Sequence, residues 1–240
     1  MESLPDFHVW DYLENSRTPE AYNKIVKGDA DIIFVAQPSG GQKKRAKESG
    51  VTLLYTPFAR EAFVFIVNAD NPVNSLTEQQ VRDIFSGAIT NWRAVGGNDQ
   101  EIQTWQRPED SGSQTVMQSQ VMKNVRMISP QETKVASVME GMIKVVAEYR
   151  NTNNAIGYTF RYYATQMNAD KNIKLLAING ITPTAENIRN GKYAYIVDAF
   201  MVTRENTTSE TQKLVEWFLT PQGQSLVEDV GYVPLYPTME

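Results

Sequence analysis

Two short stretches carry the residue types best suited to chemistry: Ser39-Gly40-Gly41-Gln42 and Ser111-Gly112-Ser113-Gln114. Each sets a glutamine three residues after a serine, the spacing of a capping box that satisfies free N–H groups at a helix start. Each also puts small residues at the first turn, where glycine lets a ligand come close. Backbone N–H groups and the helix dipole favour an anion at such a place. Both stretches therefore read in two ways, as plain caps or as anion seats, and the local pattern leaves the two open. Arg107, four residues before Ser111, adds a charged planar fork that suits a tetrahedral oxyanion. A solvated loop arginine is the other reading, with Glu109 and Asp110 as surface partners.

Other chemistries find little support. Cysteine is absent, which excludes disulfides, thiolate nucleophiles and cysteine-bound metals. His8 is the only histidine, so a catalytic triad or a histidine zinc site is not expected. A phosphate-ester hydrolase using Ser111 or Ser113 as nucleophile would lack a histidine base, and neither enzyme activity nor a cofactor is expected. The formal net charge of −5 speaks against nucleic acid as partner, though a local pocket can be positive on an acidic protein. The longest apolar runs, such as residues 62–67, fall far short of the roughly 20 residues of a membrane span. Met1-Glu2-Ser3-Leu4-Pro5 has neither the basic nor the apolar region of a signal peptide, which leaves the compartment open.

The elements that must position these residues alternate between helix and strand. Thr18 reads as an N-cap followed by Pro19, opening a helix to residue 27 that Gly28 closes. Residues 31–36 form a continuous apolar strand, a helix follows over 40–49, and strands are expected at 51–55 and 62–67. Helices are predicted at 77–85, 112–123, 137–150, 184–190 and 209–230, the last broken at Pro221, with strands at 101–105, 154–159, 173–177 and 193–203. This alternation predicts α/β layers with largely parallel sheets. Trp92, Trp105, Tyr158, Tyr162 and Tyr163 are assigned to the core in preference to a cleft, as are Met117, Met122, Met139 and Met142. Lys43, Lys44, Arg45 and Lys47 read as a solvated helix face.

Residues 75–97, which include Phe85-Ser86-Gly87-Ala88-Ile89-Thr90-Asn91-Trp92, and the following Gln106-Arg107-Pro108-Glu109-Asp110-Ser111-Gly112-Ser113-Gln114-Thr115 closely resemble the phosphate-binding proteins of ABC transporters. Asn154-Ala155-Ile156-Gly157-Tyr158, Ile181-Thr182-Pro183-Thr184 and Gly231-Tyr232-Val233-Pro234 extend the likeness, so that it covers about residues 18–235.

The resemblance implies a type II periplasmic-binding-protein fold: two α/β lobes, residues 1–68 plus 195–240 and residues 69–194, joined by two hinge crossovers. Residues 63–68 and 193–201 would run side by side as those crossovers. Arg107, Ser111, Gly112 and Ser113 match the family positions that hold phosphate oxygens. Gln37 stands nearest to the place where better-known receptors have an aspartate that accepts the proton of hydrogen phosphate, and Ser39 completes the expected ligand set. An amide donates as well as accepts, which weakens the usual discrimination against sulfate. The implied function is an extracytoplasmic receptor, periplasmic or a cell-surface lipoprotein, that delivers phosphate or a related oxyanion to a membrane permease. The alternative is a degenerate sensor or interaction domain with weak or no anion binding. Residues 6–13 contain no Gly-Ser-Thr type loop, so the family's first strand and first ligand loop are expected to be missing. The gap would be filled by a homodimer partner or by residues 7–13 folding back.

Overall fold

The structure, a computed structural model, describes residues 12–129, 134–148 and 154–239. One strand organises it. β2 (Leu53–Asn68) is rich in the aromatic and β-branched residues that favour strands, and the side chains of residues 62–67 are fully buried. Its first part pairs antiparallel with β8 (Ile196–Arg204), from Leu53 opposite Arg204 to Ala62 opposite Ile196. Its second part pairs antiparallel with β5 (Ala155–Phe160) and with β6 (Ile173–Leu175). β1 (Ile32–Val35) joins the far side of β8, while β4 (Gln103–Thr104) joins β5 in parallel.

Three sequence expectations change. The strands foreseen at 51–55 and 62–67 are one, because Pro57 between them is absorbed by a register shift between Pro57 and Ala59. The sheet is also mainly antiparallel. Among the described residues only β4 with β5 and the short β3 (Ser75–Leu76) with β7 (Ala177–Ile178) pair in parallel as named strands. The parallel reading takes strands adjacent in sequence as neighbours, whereas β1 finds its partner far along the chain in β8. The two expected crossovers meet over a short length only. Phe63 N donates to Tyr195 O (2.9 Å), after which β2 turns to β5 and β6 while β8 follows residues 53–62.

Apolar side chains gather into three clusters. The largest surrounds Phe63, Phe65, Phe85, Trp92 and Tyr158 and includes Trp105, Met117, Met122 and Met142. A second joins Tyr22, Ile25, Ile33 and Val202, and a third joins Phe58, Met201, Val215 and Val227. Each fully buried large side chain contributes roughly 1.5 to 3 kcal/mol.

The helices follow their end signals closely. α1 (Thr18–Lys27) ends at Gly28, whose φ of 89° needs glycine, but its cap residue is Arg17 rather than Thr18 and supplies no side-chain bond. α2 (Gly40–Glu48) has both bonds of the capping box between Ser39 and Gln42. α3 (Glu78–Ser86) is capped in the same way by Thr77 and Gln80. α4 (Gly112–Val116) passes into a π-helical segment, Met117–Met122, a widening that recurs at functional sites. α5 (Met139–Glu148) and α6 (Ala185–Arg189) follow, and α7 (Ser209–Phe218) is separated from α8 (Pro221–Asp229) where Pro221 was expected to break it. β9 (Val233–Pro234) closes against β2. His8 and the possible folding back of residues 7–11 lie outside the described residues, while Tyr12 and Leu13 are exposed.

Candidate functional site

Helix starts and strand ends converge on Gly112, the first residue of α4. A Cβ placed there would lie 3.0 Å from Ala36 Cβ, 3.3 Å from Thr18 Oγ1 and 3.8 Å from Phe160 Cε2. The ends of β1 and β5 and the first turns of α1 and α4 therefore meet where only glycine fits without displacement. Tyr22 adds a tie by donating from its hydroxyl to Ala36 O (3.0 Å).

Arg107 lies just before this junction and is 7% exposed. Its Nη1 donates to Ala136 O (2.7 Å), while its Nε is buried without a hydrogen-bond partner. Burial lowers the pKa of the guanidinium, Tyr158 and Tyr163 raise it, and Arg17 lowers it. An arginine still keeps its charge at neutral pH. Ser113 is fully buried, and its Oγ likewise lacks a partner. A buried cation with an unused donor, on the same short loop as an unpartnered hydroxyl, leaves donor capacity that an anion would satisfy.

The loop is closed by Gln114. Ser111 Oγ accepts from Gln114 N (3.3 Å), as the capping pattern predicts. The Gln114 side chain does not complete the box. Its Oε1 accepts instead from Arg107 N (3.3 Å) and from the Tyr158 hydroxyl, which in turn accepts from Arg107 N (3.1 Å). Burial raises the pKa of the Tyr158 phenol, which stays neutral as a donor. Arg107, Ser111, Gly112 and Ser113 are thus held in one loop whose two ends are bonded to each other.

Gln37 and Ser39 stand on the facing wall with their side chains engaged. Gln37 Nε2 donates to Ser119 Oγ (2.7 Å) on the π-helical segment. Ser39 Oγ accepts from Gln42 N (3.1 Å) and donates to Asp110 Oδ1. Sequence reasoning did not include Gln114, Tyr158, Arg17 or Thr18 in the site. Gln114 was visible only as half of a capping box, and the approach of Thr18 to Gly112 is a tertiary contact with no local signal. A cavity of about 460 Å³ opens beside Arg107, lined in part by Glu109, Gln114, Gln118 and Lys123.

An α/β framework with helix starts gathered at a buried, under-bonded arginine has the form of a solute-binding protein. Residues 2–222 match the PBP superfamily domain, and the chain belongs to that superfamily. Over 98% of its length it is 28% identical to the phosphate-binding protein PstS of Bacillus subtilis (strain 168), of which it covers 74%. Its fold is similar to that of a Clostridium perfringens protein solved with bound phosphate and described as a phosphate ABC transporter substrate-binding protein. That likeness has a TM-score of 0.74 at 24% identity, over 90% of this chain and 84% of that one. An ABC-type phosphate transport receptor from Vibrio cholerae matches with a TM-score of 0.66 at 24% identity, over the same shares of the two chains. The fold is the type II periplasmic-binding-protein fold that the sequence motifs imply.

Proposed function

We propose that this chain is the extracytoplasmic receptor of an ABC transporter that binds inorganic phosphate between two lobes, residues 1–68 plus 195–240 and residues 69–194. The observation that carries the reading is the pair of unused, fully buried polar atoms, Arg107 Nε and Ser113 Oγ, on one closed loop at a helix start. Arg107 and the serine-lined start of α4 hold the oxygens, Gly112 admits the close approach, and Gln37 faces them from the other wall, where the Ser39 hydroxyl is committed to Asp110. The receptor passes its ligand unchanged to a membrane permease and performs no catalysis. No helix among the described residues is long and apolar enough to cross a membrane. Pairing of two copies through the lobe that carries β1 belongs to the same proposal. Among the described residues β1 pairs only with β8, and an open edge is a template for another strand.

Calorimetric titration with phosphate and with sulfate tests the reading. Phosphate is expected to bind, and sulfate to compete within about tenfold, since an amide at position 37 can donate to either anion. Absence of phosphate binding would refute the receptor reading and favour a degenerate interaction domain. Gly112→Ala is expected to weaken phosphate binding by about tenfold or less, as Ala36 and Thr18 must yield a few tenths of an ångström to the new methyl. Unchanged affinity in that variant would show that the close approach at Gly112 serves packing alone.

A further inference from the structure

Asp110 lies between Arg107 and the start of α4, and its side chain serves neither. It reaches across to α2. Its Oδ1 accepts from the Ser39 hydroxyl, and its Oδ2 pairs with Arg45 Nη2 at 2.9 Å. The Asp110 carbonyl accepts from Gln42 Nε2 (3.0 Å), and a Cβ on Gly41 would lie 3.2 Å from Oδ1. A carboxylate of one wall is therefore seated on the first turn of a nine-residue helix of the other, where N–H groups and the dipole favour negative charge. Gln37, bonded to Ser119, adds a second tie between the same walls. The hydrogen bond from Ser39, followed by the charge of Arg45, holds the Asp110 pKa below its usual value, so the carboxylate is ionised at neutral pH.

We propose that Asp110 is an internal latch: a built-in anion that occupies the start of α2 and holds that wall against the Arg107–Ser113 loop. Two consequences follow. The first turn of α2 is already supplied with an anion, which leaves recognition of an external one to Arg107, Gln37 and the start of α4. The tie also fixes how the two walls are set, so part of the ordering cost of binding phosphate is met by contacts within the protein itself. The second consequence rests on the receptor reading; the latch itself does not.

Asp110 has a φ of +65°, a left-handed conformation that glycine adopts more readily than aspartate. Asp110→Gly therefore keeps or eases the backbone turn while deleting the carboxylate, and it separates a latch from a turn residue. Amide hydrogen exchange of the ligand-free protein is read over residues 40–45 and 111–115. In Asp110→Gly and Asp110→Asn, exchange is expected to accelerate about tenfold in both segments as the walls part. Arg45→Gln, on an exposed part of α2 and outside the cap, is expected to give a smaller acceleration and to add little to Asp110→Asn in the double variant. Phosphate affinity is expected to fall by about three- to tenfold in Asp110→Gly, with the change in the dissociation rate. Wild-type exchange rates in Asp110→Gly and in Arg45→Gln would overturn the latch whatever the protein binds. Accelerated exchange in a protein that binds no phosphate would keep the latch and remove the receptor reading instead.

Discussion

Replacing Arg107 with alanine is expected to lower phosphate affinity by at least tenfold and up to several hundredfold. The guanidinium is the buried full positive charge of the loop, and its Nε has no partner within the protein. Charge-assisted hydrogen bonds contribute roughly 1.5 to 3 kcal/mol each, so one or two of them account for that range. Stability should change much less than affinity. Removing a buried cation relieves its desolvation, which offsets the cavity left behind and the lost bond to Ala136 O. Arg107→Lys keeps the charge without the fork and should bind with intermediate strength. Ser111→Ala offers a contrast, because its Oγ already accepts from Gln114 N. It should cost about 1 kcal/mol of stability as a lost cap, with a smaller loss of affinity. Calorimetry with phosphate, alongside thermal melts without ligand, checks all three. Equal affinity in wild type and Arg107→Ala would remove Arg107 from the site.

What the sequence made legible was local. Ser39 with Gln42 forms a full capping box, and Pro221 separates two helices, because those signals act within one turn of chain. Trp92, Tyr158, Met117 and Met142 are core, since a large apolar side chain on a strand or helix has nowhere better to go. Errors arose where a local signal was overruled at a distance. Residues 51–55 and 62–67 read as separate strands, but a register shift between Pro57 and Ala59 lets β2 run through both. Gln114 was expected to finish its own cap, but Arg107 N and the Tyr158 hydroxyl draw its amide away. Asp110 had no pattern to mark it as anything but a surface acid, since its partners Ser39 and Arg45 lie some seventy residues earlier. The motif residues of the α4 start were readable because they are contiguous. Their neighbours from α1 and β1 were not, because Thr18 and Ala36 reach Gly112 only through the fold.

The stability of this protein is expected to fall between about pH 5 and pH 7, and Glu61 is the group responsible. Glu61 lies on β2 opposite Val197 and is 3% exposed. Its Oε1 accepts from Ala62 N (2.7 Å) and its Oε2 from Tyr162 N (2.8 Å), while Arg161 Nε stands 3.7 Å from Oε1. Arg161 also donates from Nη2 to Gly231 O (2.8 Å), and Tyr162 stacks on Tyr232 with centroids 4.3 Å apart, so the carboxyl ties β2 to the end of β5 and to the turn before β9. Burial dominates the two N–H bonds and the arginine, and it pushes the Glu61 pKa up to about 7. An unfolded glutamate titrates near 4.3, so between these values the folded chain binds more protons than the unfolded one. Stability is then highest below the unfolded pKa and declines as pH rises through the folded one, by on the order of 3 kcal/mol in all. Asp198, raised mainly by burial, adds a contribution of the same sign, whereas Asp110, whose pKa is lowered, acts only in more acid solution. Glu61→Gln cannot ionise, so its curve should be flatter than wild type over pH 5 to 8. It should also be less stable at pH 5 by about 1 to 3 kcal/mol, because an amide offers one acceptor oxygen to two N–H donors. Urea denaturation of both proteins at pH 5, 6, 7 and 8 provides the comparison, and subtracting the two curves removes every other titrating group. A difference curve that does not change with pH would show that Glu61 stays ionised in the folded protein, with its two N–H bonds and Arg161 prevailing over burial.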